Sequence, residues 1–570
     1  MNEARKTIIV VGGVAAGASA AAKARRQDEK AEIIIFERGE HVSFANCGLP
    51  YFVGDEIKRR DALLLHTPAS LKSRFNLDVF TRHEVVEIEP EARRVVATDL
   101  RTGRRVTRTY DRLILAPGAR AVIPPIGGVE SRNVRLLRTV PEAEELKRMA
   151  GSTAKRAVIV GAGFIGLEVA ENLIRRGLEV TVVEKAEQVL PPFDPEMAVA
   201  VEDSLSNLGA RLIVGHGVRR FAADGDLATA AELDDGRRIE ADLFVLSIGV
   251  RPDVELARRA GVAIGPSGAI VVNERMETSV PGIYAAGDAV EIRHQVSGRP
   301  AWIPLAGPAN KQGRVAGANA AGGSMTFRGA CGTSIVRVGR VVAAKTGLSE
   351  RECLAAGLNH RVTYNHHGDH AGYYPGAEEL TIKLMAESGS GRILGAQVVG
   401  GRGVDKRIDV LATAIYAGLT VEDLEQLDLA YAPPFGAAKD PVIMAGMTQA
   451  NALRGEVAVI TPAEVEARLT DAGLQLVDVR SRREFEEGAI PGAIHIPLPD
   501  LRRRLGELDP SRETVVYCLG GQRSYFACRI LGQSGFSNLK NLTGGYRSWI
   551  MHLKSRRRAP AKNRGDGRTE

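Results

Sequence analysis

The chain has 570 residues, too many for one domain, since domains run roughly 100–200 residues. A hydrophobic share of 44% and a charged share of 25% exclude a disordered or fibrous class. The net charge of +7 is local: Lys554 to Glu570 holds seven Lys/Arg and two acids, a surplus of +5, so the body is nearly neutral and no nucleic-acid partner is indicated.

Five cysteines show neither disulfide-framework nor zinc spacing. Met1–Lys6 leads directly toward a strand, without the look of a signal peptide. No apolar run approaches the roughly 20 residues of a membrane span. A cytoplasmic protein is expected, with no membrane partner.

In chain order, Thr7–Val11 is a continuous apolar run, as in a buried parallel strand. Gly12-Gly13-Val14-Ala15-Ala16-Gly17 follows, then the helix-forming Ala18–Arg26. A second strand, Ile33–Phe36, ends in Glu37. Strand, glycine turn, helix, strand and acid form a dinucleotide site, in which Glu37 accepts from a ribose hydroxyl. Val14 stands where the middle glycine belongs. Cys47 follows in Ser43-Phe44-Ala45-Asn46-Cys47-Gly48, with no second cysteine before Cys331. Leu113–Gly118 reads as a strand ending in a glycine turn.

The unit recurs complete: Ala157–Val160, Gly161-Ala162-Gly163-Phe164-Ile165-Gly166, the helix Leu167–Arg176, Val180–Val183 and Glu184. Two such folds imply two dinucleotides. Glu184 favours NADH, and Lys185 beside it tolerates NADPH. Phe244–Gly249 is another strand and turn. Ile283-Tyr284-Ala285-Ala286-Gly287-Asp288 is read as a strand delivering Asp288 to the start of a following helical stretch, and Pro308–Gly313 as opening a further helix.

These three motifs, in this order, resemble the two-dinucleotide flavoprotein disulfide reductases over about residues 5–450. The resemblance implies an α/β protein with an FAD domain (1–120 and 250–326), an NAD(P)H domain (121–249) and an α+β dimerisation domain (327–450) that makes a homodimer. Asp288 would contact the FAD ribityl chain. Cofactor contacts across the two sites are expected from Gly12, Gly13, Ala15, Ala16, Gly17, Glu37, Arg38, Ser43, Asn46, Ala116, Gly118, Gly161, Gly163, Phe164, Ile165, Gly166, Glu184, Gly249, Gly287, Asp288, Pro304, Ala306 and Asn310.

Beyond Gly455, Thr461-Pro462-Ala463-Glu464 starts a helix, Leu476–Arg480 and Thr514–Tyr517 are strands, and Cys518-Leu519-Gly520-Gly521-Gln522-Arg523 leads into a helix. Residues 456–553 resemble a rhodanese sulfurtransferase domain, with Ala489 where that family often has His. A cysteine at a strand end before a short loop and helix sits in a cup of N–H groups that stabilises a thiolate or persulfide. The six-residue loop matches the sulfur-transferring members rather than the seven-residue phosphatases. Cys528, on the next helix, reads as core. Lys554–Glu570 is expected to be a solvated, flexible tail.

A lone redox cysteine cannot form an internal disulfide, so its oxidised form is a mixed disulfide, a persulfide or a sulfenic acid. The Cys47 segment resembles two single-cysteine branches, one acting on coenzyme A disulfide or persulfide and one on peroxide or oxygen. The peroxide branch carries a histidine at the start of the first helix, and none stands in Val14–Ala18. The CoA branch carries two tyrosines supplied by the partner subunit. Tyr373, with Tyr374 as an alternative, and Tyr431 match them. Arg25, Arg26, Lys72 and Arg74 are candidates for the CoA phosphates, with Ser43 and Asn46 lining the thiol channel. The His366-His367-Gly368-Asp369-His370 cluster is not read as a metal site. The expected activity is FAD-dependent NAD(P)H reduction of CoA persulfide, polysulfide or CoA disulfide through Cys47, with Cys518 and Arg523 handling sulfane sulfur. An NADH peroxidase or oxidase and a non-catalytic sulfur-relay protein remain as alternatives.

Overall fold

The computed structural model of the protein describes residues 5–152 and 154–558. The chain divides into two compact units, one reaching Lys185 and resuming over Leu208–Gly332, the other made of Ala186–Asn207 and the chain from Thr333 onward.

The first unit holds both dinucleotide folds. Five parallel strands lie in the order Ile283–Ala285, Arg112–Leu115, Thr7–Val11, Glu32–Glu37, Asp78–Thr81. Ile8, Ile9, Ile33, Ile35 and Ile114 are fully buried, which is why these strands are unbroken apolar runs rather than alternating ones. The helix Ala15–Gln27 packs on the helix Ala306–Ala320 almost backbone to backbone. A Cβ at Gly313 would lie 2.1 Å from the Ala16 carbonyl oxygen, and one at Gly317 2.1 Å from that of Ala20. The alanines and glycines of these helices therefore encode an approach, not only a propensity. The second sheet runs Arg211–Val214, Glu179–Glu184, Arg156–Val160, Leu243–Leu246, Val134–Arg135, all parallel.

The sequence predicts a helical stretch directly after Asp288, and the structure differs. Asp288 sits in a turn that leads into the strand Val290–Arg293, not into a helix, because Val290 and Ile292 are buried on the core. The next helix starts only at Ala306.

The second unit carries an antiparallel sheet ordered Ser334–Val338, Val341–Gly347, Ile393–Gly400, Glu379–Glu387, His360–Gly368. It also carries a parallel sheet ordered Ala458–Ile460, Leu539–Leu542, Glu513–Tyr517, Leu474–Asp478, Ile494–His495. The helix Pro195–Asn207, expected within the NAD(P)H domain, belongs to this unit. Charge explains it. Lys383 is fully buried with its Nζ 2.9 Å from Asp194, 2.5 Å from Glu196 and 2.7 Å from Glu350. Burial pulls this ammonium down, but the surrounding acids outweigh it and hold Lys383 well above its ordinary value.

The last helix, Gly545–Arg558, takes in the first five residues of the expected tail. Lys554 pairs with Asp203 at 3.0 Å and Arg556 with Glu466 at 2.5 Å, so these cations extend the helix instead of fraying. The rest of that segment, 559–570, lies outside the described residues.

Candidate redox and sulfur-transfer sites

Both dinucleotide turns have the same construction. Gly12 and Gly161 hold φ of +93° and +103°, which L side chains rarely adopt. A Cβ on Gly12 would sit 2.1 Å from the Ala116 carbonyl oxygen, and one on Gly161 2.3 Å from that of Ser247. A Cβ on Gly17 or Gly166 would likewise sit 1.8 or 2.0 Å from the carbonyl oxygen of Gly12 or Gly161. Glu37 accepts from the Gly13 N–H at 2.7 Å, and Glu184 from the Ala162 N–H at 2.7 Å. Space is open around Gly163, Gly118 and Gly249, where a Cβ would meet nothing within 4 Å. Phe164 and Ile165 begin the helix behind Gly163, so backbone N–H groups face that space. This geometry fits FAD at the first turn and NAD(P)H at the second.

The other expected cofactor residues divide by what they touch. Ala15 and Ala16 open the first helix, with Val14 at its N-cap. Gly287 donates its N–H to Gln312 at 2.7 Å, and no hydrogen bond reaches the Asp288 carboxylate among the described residues. Burial raises Asp288 while Arg138 draws it down. Arg38 faces Asp253 at 3.4 Å. Asn310 accepts from Ser19 at 2.6 Å and so ties the two packed helices, while Ala306 begins the second of them just after Pro304.

Cys47 lies in the short turn Asn46–Gly48 that runs into the helix Leu49–Val53. The Ser43 N–H donates to the Gly13 carbonyl at 2.9 Å, which stitches the cysteine segment to the first dinucleotide turn. Cys47 is exposed, yet the protein around it desolvates its thiol and pushes it up, with the Glu168 and Asp288 carboxylates adding to the rise. Tyr51, one helical turn after Cys47, donates its hydroxyl to Glu168 at 3.0 Å. Glu168 is itself raised by burial. Sequence reasoning passed over Tyr51 and Glu168; their spacing, four residues after Cys47 and two after Gly166, was the available signal.

Three of the other thiols, Cys331, Cys353 and Cys528, are buried. Burial pushes Cys331 up to about 11 and both Cys353 and Cys528 up to about 12.

Tyr373 and Tyr431 come together, hydroxyl to hydroxyl, at 2.7 Å, while Tyr374 packs edge-on against His370. All three tyrosines are exposed. Of the candidate CoA cations, Arg26 and Arg74 are exposed and Lys72 pairs with Asp78 at 2.7 Å. Arg25 is different. It is 3% exposed, and its guanidinium donates to the carbonyls of Phe75, Asp28, Glu29 and Asn76. It braces the domain and leaves the CoA set. The clustered histidines also part company. His366 bonds Thr381 and Ser548, and His370 bonds Asp369.

Cys518 ends the strand Glu513–Tyr517, and its Sγ accepts from the Gly521 N–H at 3.1 Å and the Ser524 hydroxyl at 3.4 Å. Gly521 holds a φ of +102°, which turns its N–H inward. Asn541 donates to the Gly521 carbonyl at 3.1 Å and fixes that turn. Arg523 is gripped by Glu484 through two bonds of 2.8 and 2.6 Å. Behind the loop, the Tyr546 and Arg547 N–H groups donate to the Cys518 and Leu519 carbonyls at 2.7 and 3.1 Å. This helix start is anchored on the antiparallel sheet. Thr543 accepts from the Tyr364 N–H at 2.8 Å, Ser548 meets His366 at 3.0 Å, and Arg547 pairs with Glu379 at 2.5 Å. Glu484 and the 543–548 brace were not read from sequence.

Residues 6–313 match the pyridine nucleotide-disulphide oxidoreductase family, 334–441 its dimerisation domain and 461–552 the rhodanese-like domain. The crystal structure of reduced Bacillus anthracis CoADR-RHD superposes with a TM-score of 0.94 and 42% identity, covering 98% of this chain and 100% of that one. An NAD-dependent persulfide reductase from A. fulgidus gives 0.88 and 40%, over 95% and 100% of the two chains. A CoA-dependent NAD(P)H sulfur oxidoreductase of Pyrococcus abyssi is 36% identical over 447 residues, 78% of this chain and 98% of its own. None of the helices in the described residues is long and apolar enough to cross a membrane. With both dinucleotide turns, the dimerisation sheet and the Cys518 loop accounted for, the chain belongs to the pyridine nucleotide-disulphide oxidoreductase family, flavin-dependent NAD(P)H oxidoreductases, and carries a C-terminal rhodanese-like domain.

Proposed function

We propose that the protein is an NAD(P)H-dependent reductase of CoA persulfide, with CoA disulfide as a second substrate, working as a homodimer in a reducing, cytoplasmic setting. The observation that carries this is Cys47: a solvent-reaching thiol stitched to the FAD turn, with no disulfide partner among the described residues. FAD held at Gly12–Gly17 supplies the passage of two electrons from NAD(P)H to sulfur. The Cys47 thiolate attacks the CoA-bound sulfur of the persulfide, forming a Cys47–S–S–CoA bond and expelling hydrosulfide. Two electrons then break that bond, returning the Cys47 thiolate and releasing CoA as its thiolate. In sum, CoA–S–SH, NADH and one proton give CoA–SH, hydrogen sulfide and NAD⁺. CoA disulfide enters through the same mixed disulfide and yields two CoA thiols.

The Tyr373–Tyr431 pair holds the proton for the leaving thiolate or hydrosulfide, reaching Cys47 of the other subunit. Arg26, Lys72 and Arg74 receive the CoA phosphates. Cys518 supplies or collects sulfane sulfur, a role that a reductase restricted to CoA disulfide does not need. The relatives named for persulfide and CoA-dependent sulfur chemistry support this substrate class.

The test is NADH oxidation with sulfide detection, using CoA persulfide and CoA disulfide, in wild type, Cys47→Ser and Cys518→Ser. Sulfide release lost in Cys47→Ser and kept in Cys518→Ser is expected. Turnover of CoA disulfide without any sulfide from the persulfide sinks the persulfide reading.

A further inference from the structure

Tyr373 and Tyr431 both stand on chain that is neither helix nor strand. Tyr373 lies in the connection between the strands His360–Gly368 and Glu379–Glu387, and Tyr431 in the segment 426–440 that precedes the helix Pro441–Leu453. Loops of this kind are the mobile parts of a fold, so two phenol oxygens kept 2.7 Å apart need a brace from a rigid element.

The helix Val404–Ala417 supplies one. Asp405 in its first turn suits the helix dipole, but Lys406 and Arg407 beside it are cations at the end where the dipole favours anions. Their place is explained by what they reach. Arg407 is 1% exposed. Its Nη2 donates to the Asp369 carbonyl at 2.7 Å, at the base of the Tyr373 loop, and to Asp440 Oδ2 at 2.7 Å, at the end of the Tyr431 segment. Its Nε donates to Asp440 Oδ1 at 3.4 Å. Both anchors are themselves fixed. The Asp369 carboxylate accepts from the Glu378 N–H at 2.8 Å and closes its loop, and Asp440 caps the next helix by accepting from the Val442 N–H at 3.0 Å. Gly403, with φ +76°, leaves room for the guanidinium, since a Cβ there would stand 2.3 Å from Arg407 Nη1. The Ala371 N–H donates to the Gly436 carbonyl at 2.9 Å, which carries the same alignment outward toward the phenols.

We propose that Arg407 is the positioning residue of the tyrosine pair: by holding Asp369 and Asp440 with one guanidinium it sets the distance between Tyr373 and Tyr431. The inference rests on the reading of that pair as the proton source for the leaving sulfur. Arg407 acts through the two loop ends and not on substrate. A planar fork serves a carbonyl and a carboxylate in fixed directions at once, which the point charge of a lysine does not. A shift of about 1 Å at one loop end is enough to part the two hydroxyls, and misplacement on that scale costs up to about 10²-fold in rate.

The experiment uses the full flavin-loaded protein with NADH and CoA persulfide, comparing Arg407→Lys and Asp440→Asn, each alone and combined with Tyr373→Phe. Arg407→Lys is expected to lower kcat about tenfold or more, while the KM for CoA persulfide and the rate of flavin reduction by NADH stay within about twofold of wild type. Asp440→Asn keeps the helix cap, because Asn caps as well as Asp, and gives a smaller fall in kcat in the same direction. In the Tyr373→Phe background either change slows the enzyme by less than about twofold, since the contact it protects is already gone. Equal slowing in both backgrounds would mean that Arg407 only stabilises the fold, and overturns the proposal. An unchanged kcat, or a raised KM with kcat intact, overturns it too. Should Arg407→Lys not fold, Asp440→Asn decides by the same comparison. Tyr373→Phe turning over as fast as wild type is a distinct result: it removes the reading of the tyrosine pair, and this inference with it.

Discussion

The phenol oxygens of Tyr373 and Tyr431 lie 2.7 Å apart, although 58 residues separate the two in the chain. One hydroxyl must donate to the other, so the pair offers a single proton outward. That hydrogen bond also pushes the Tyr373 phenol up. Tyr373→Phe and Tyr431→Phe should each lower kcat with CoA persulfide about 10²-fold, the lower range for a lost general acid. The double variant should be no slower than the worse single one, because the two act as a unit. Steady-state rates of the three variants check this.

The Cys47 thiol is held above its ordinary value by burial and then by Glu168 and Asp288. A raised thiol is less ionised at any given pH, so iodoacetamide should alkylate Cys47 along a curve displaced to higher pH than that of a free thiol. Glu168→Gln removes one like charge and should move the curve back down. A profile unchanged by Glu168→Gln would rule out an electrostatic role for this carboxylate.

Glu484 falls from an ordinary 4.5 to about 2 because Arg523 bonds it. With the folded value depressed, the unfolded chain takes up the proton first on acidification. The stabilisation is therefore complete above the ordinary carboxylate range and is lost as pH falls from about 5 toward 2. Its size at neutral pH, discounted for partial exposure of both side chains, is about 1–2 kcal/mol. Thermal melts of wild type and Glu484→Gln should differ at pH 7, with the gap narrowing below pH 5 and closing only as pH approaches 2.

Gly166→Ala would place a Cβ 2.0 Å from the Gly161 carbonyl oxygen. The second dinucleotide turn must open to accept it. Flavin absorbance should be retained, while the rate of flavin reduction by NADH, read in a stopped flow, should fall at least about tenfold, since small displacements at a binding turn are costly.

Replacing Lys383 with Met leaves Asp194, Glu196 and Glu350 clustered without their shared cation. Breaking a buried ion pair from one side costs about 3–5 kcal/mol. A lowered Tm with normal FAD content is the expected result.

The fold was legible where one element carries its own signal. Thr7–Val11 with Gly12–Gly17, and Arg156–Val160 with Gly161–Gly166, read directly because glycine positions and continuous apolar strands are local properties. The Cys518 loop was legible for the same reason. Arg25 was not: a cation at a helix end looks solvated until the 75–76 carbonyls are seen to converge on it. Asp288 was misplaced because Val290-Glu291-Ile292 is too short a run to separate strand from helix. Glu484, Arg547 and Lys383 depend on partners 33 or more residues away, and no local pattern announces such pairs.

A Cβ on Gly544 would lie 1.8 Å from the Ser548 hydroxyl and 2.6 Å from Cβ of Tyr364, so the seam between the rhodanese-like domain and the antiparallel sheet has no slack. The rhodanese-like module is welded rather than tethered. Swinging arms that ferry cargo need a joint, and this junction has none. Under the proposed reading of Cys518 as a sulfur carrier, transport away from it falls to the cargo itself: a small carrier leaves, diffuses and docks again, which makes thiol concentration, rather than domain motion, the throttle.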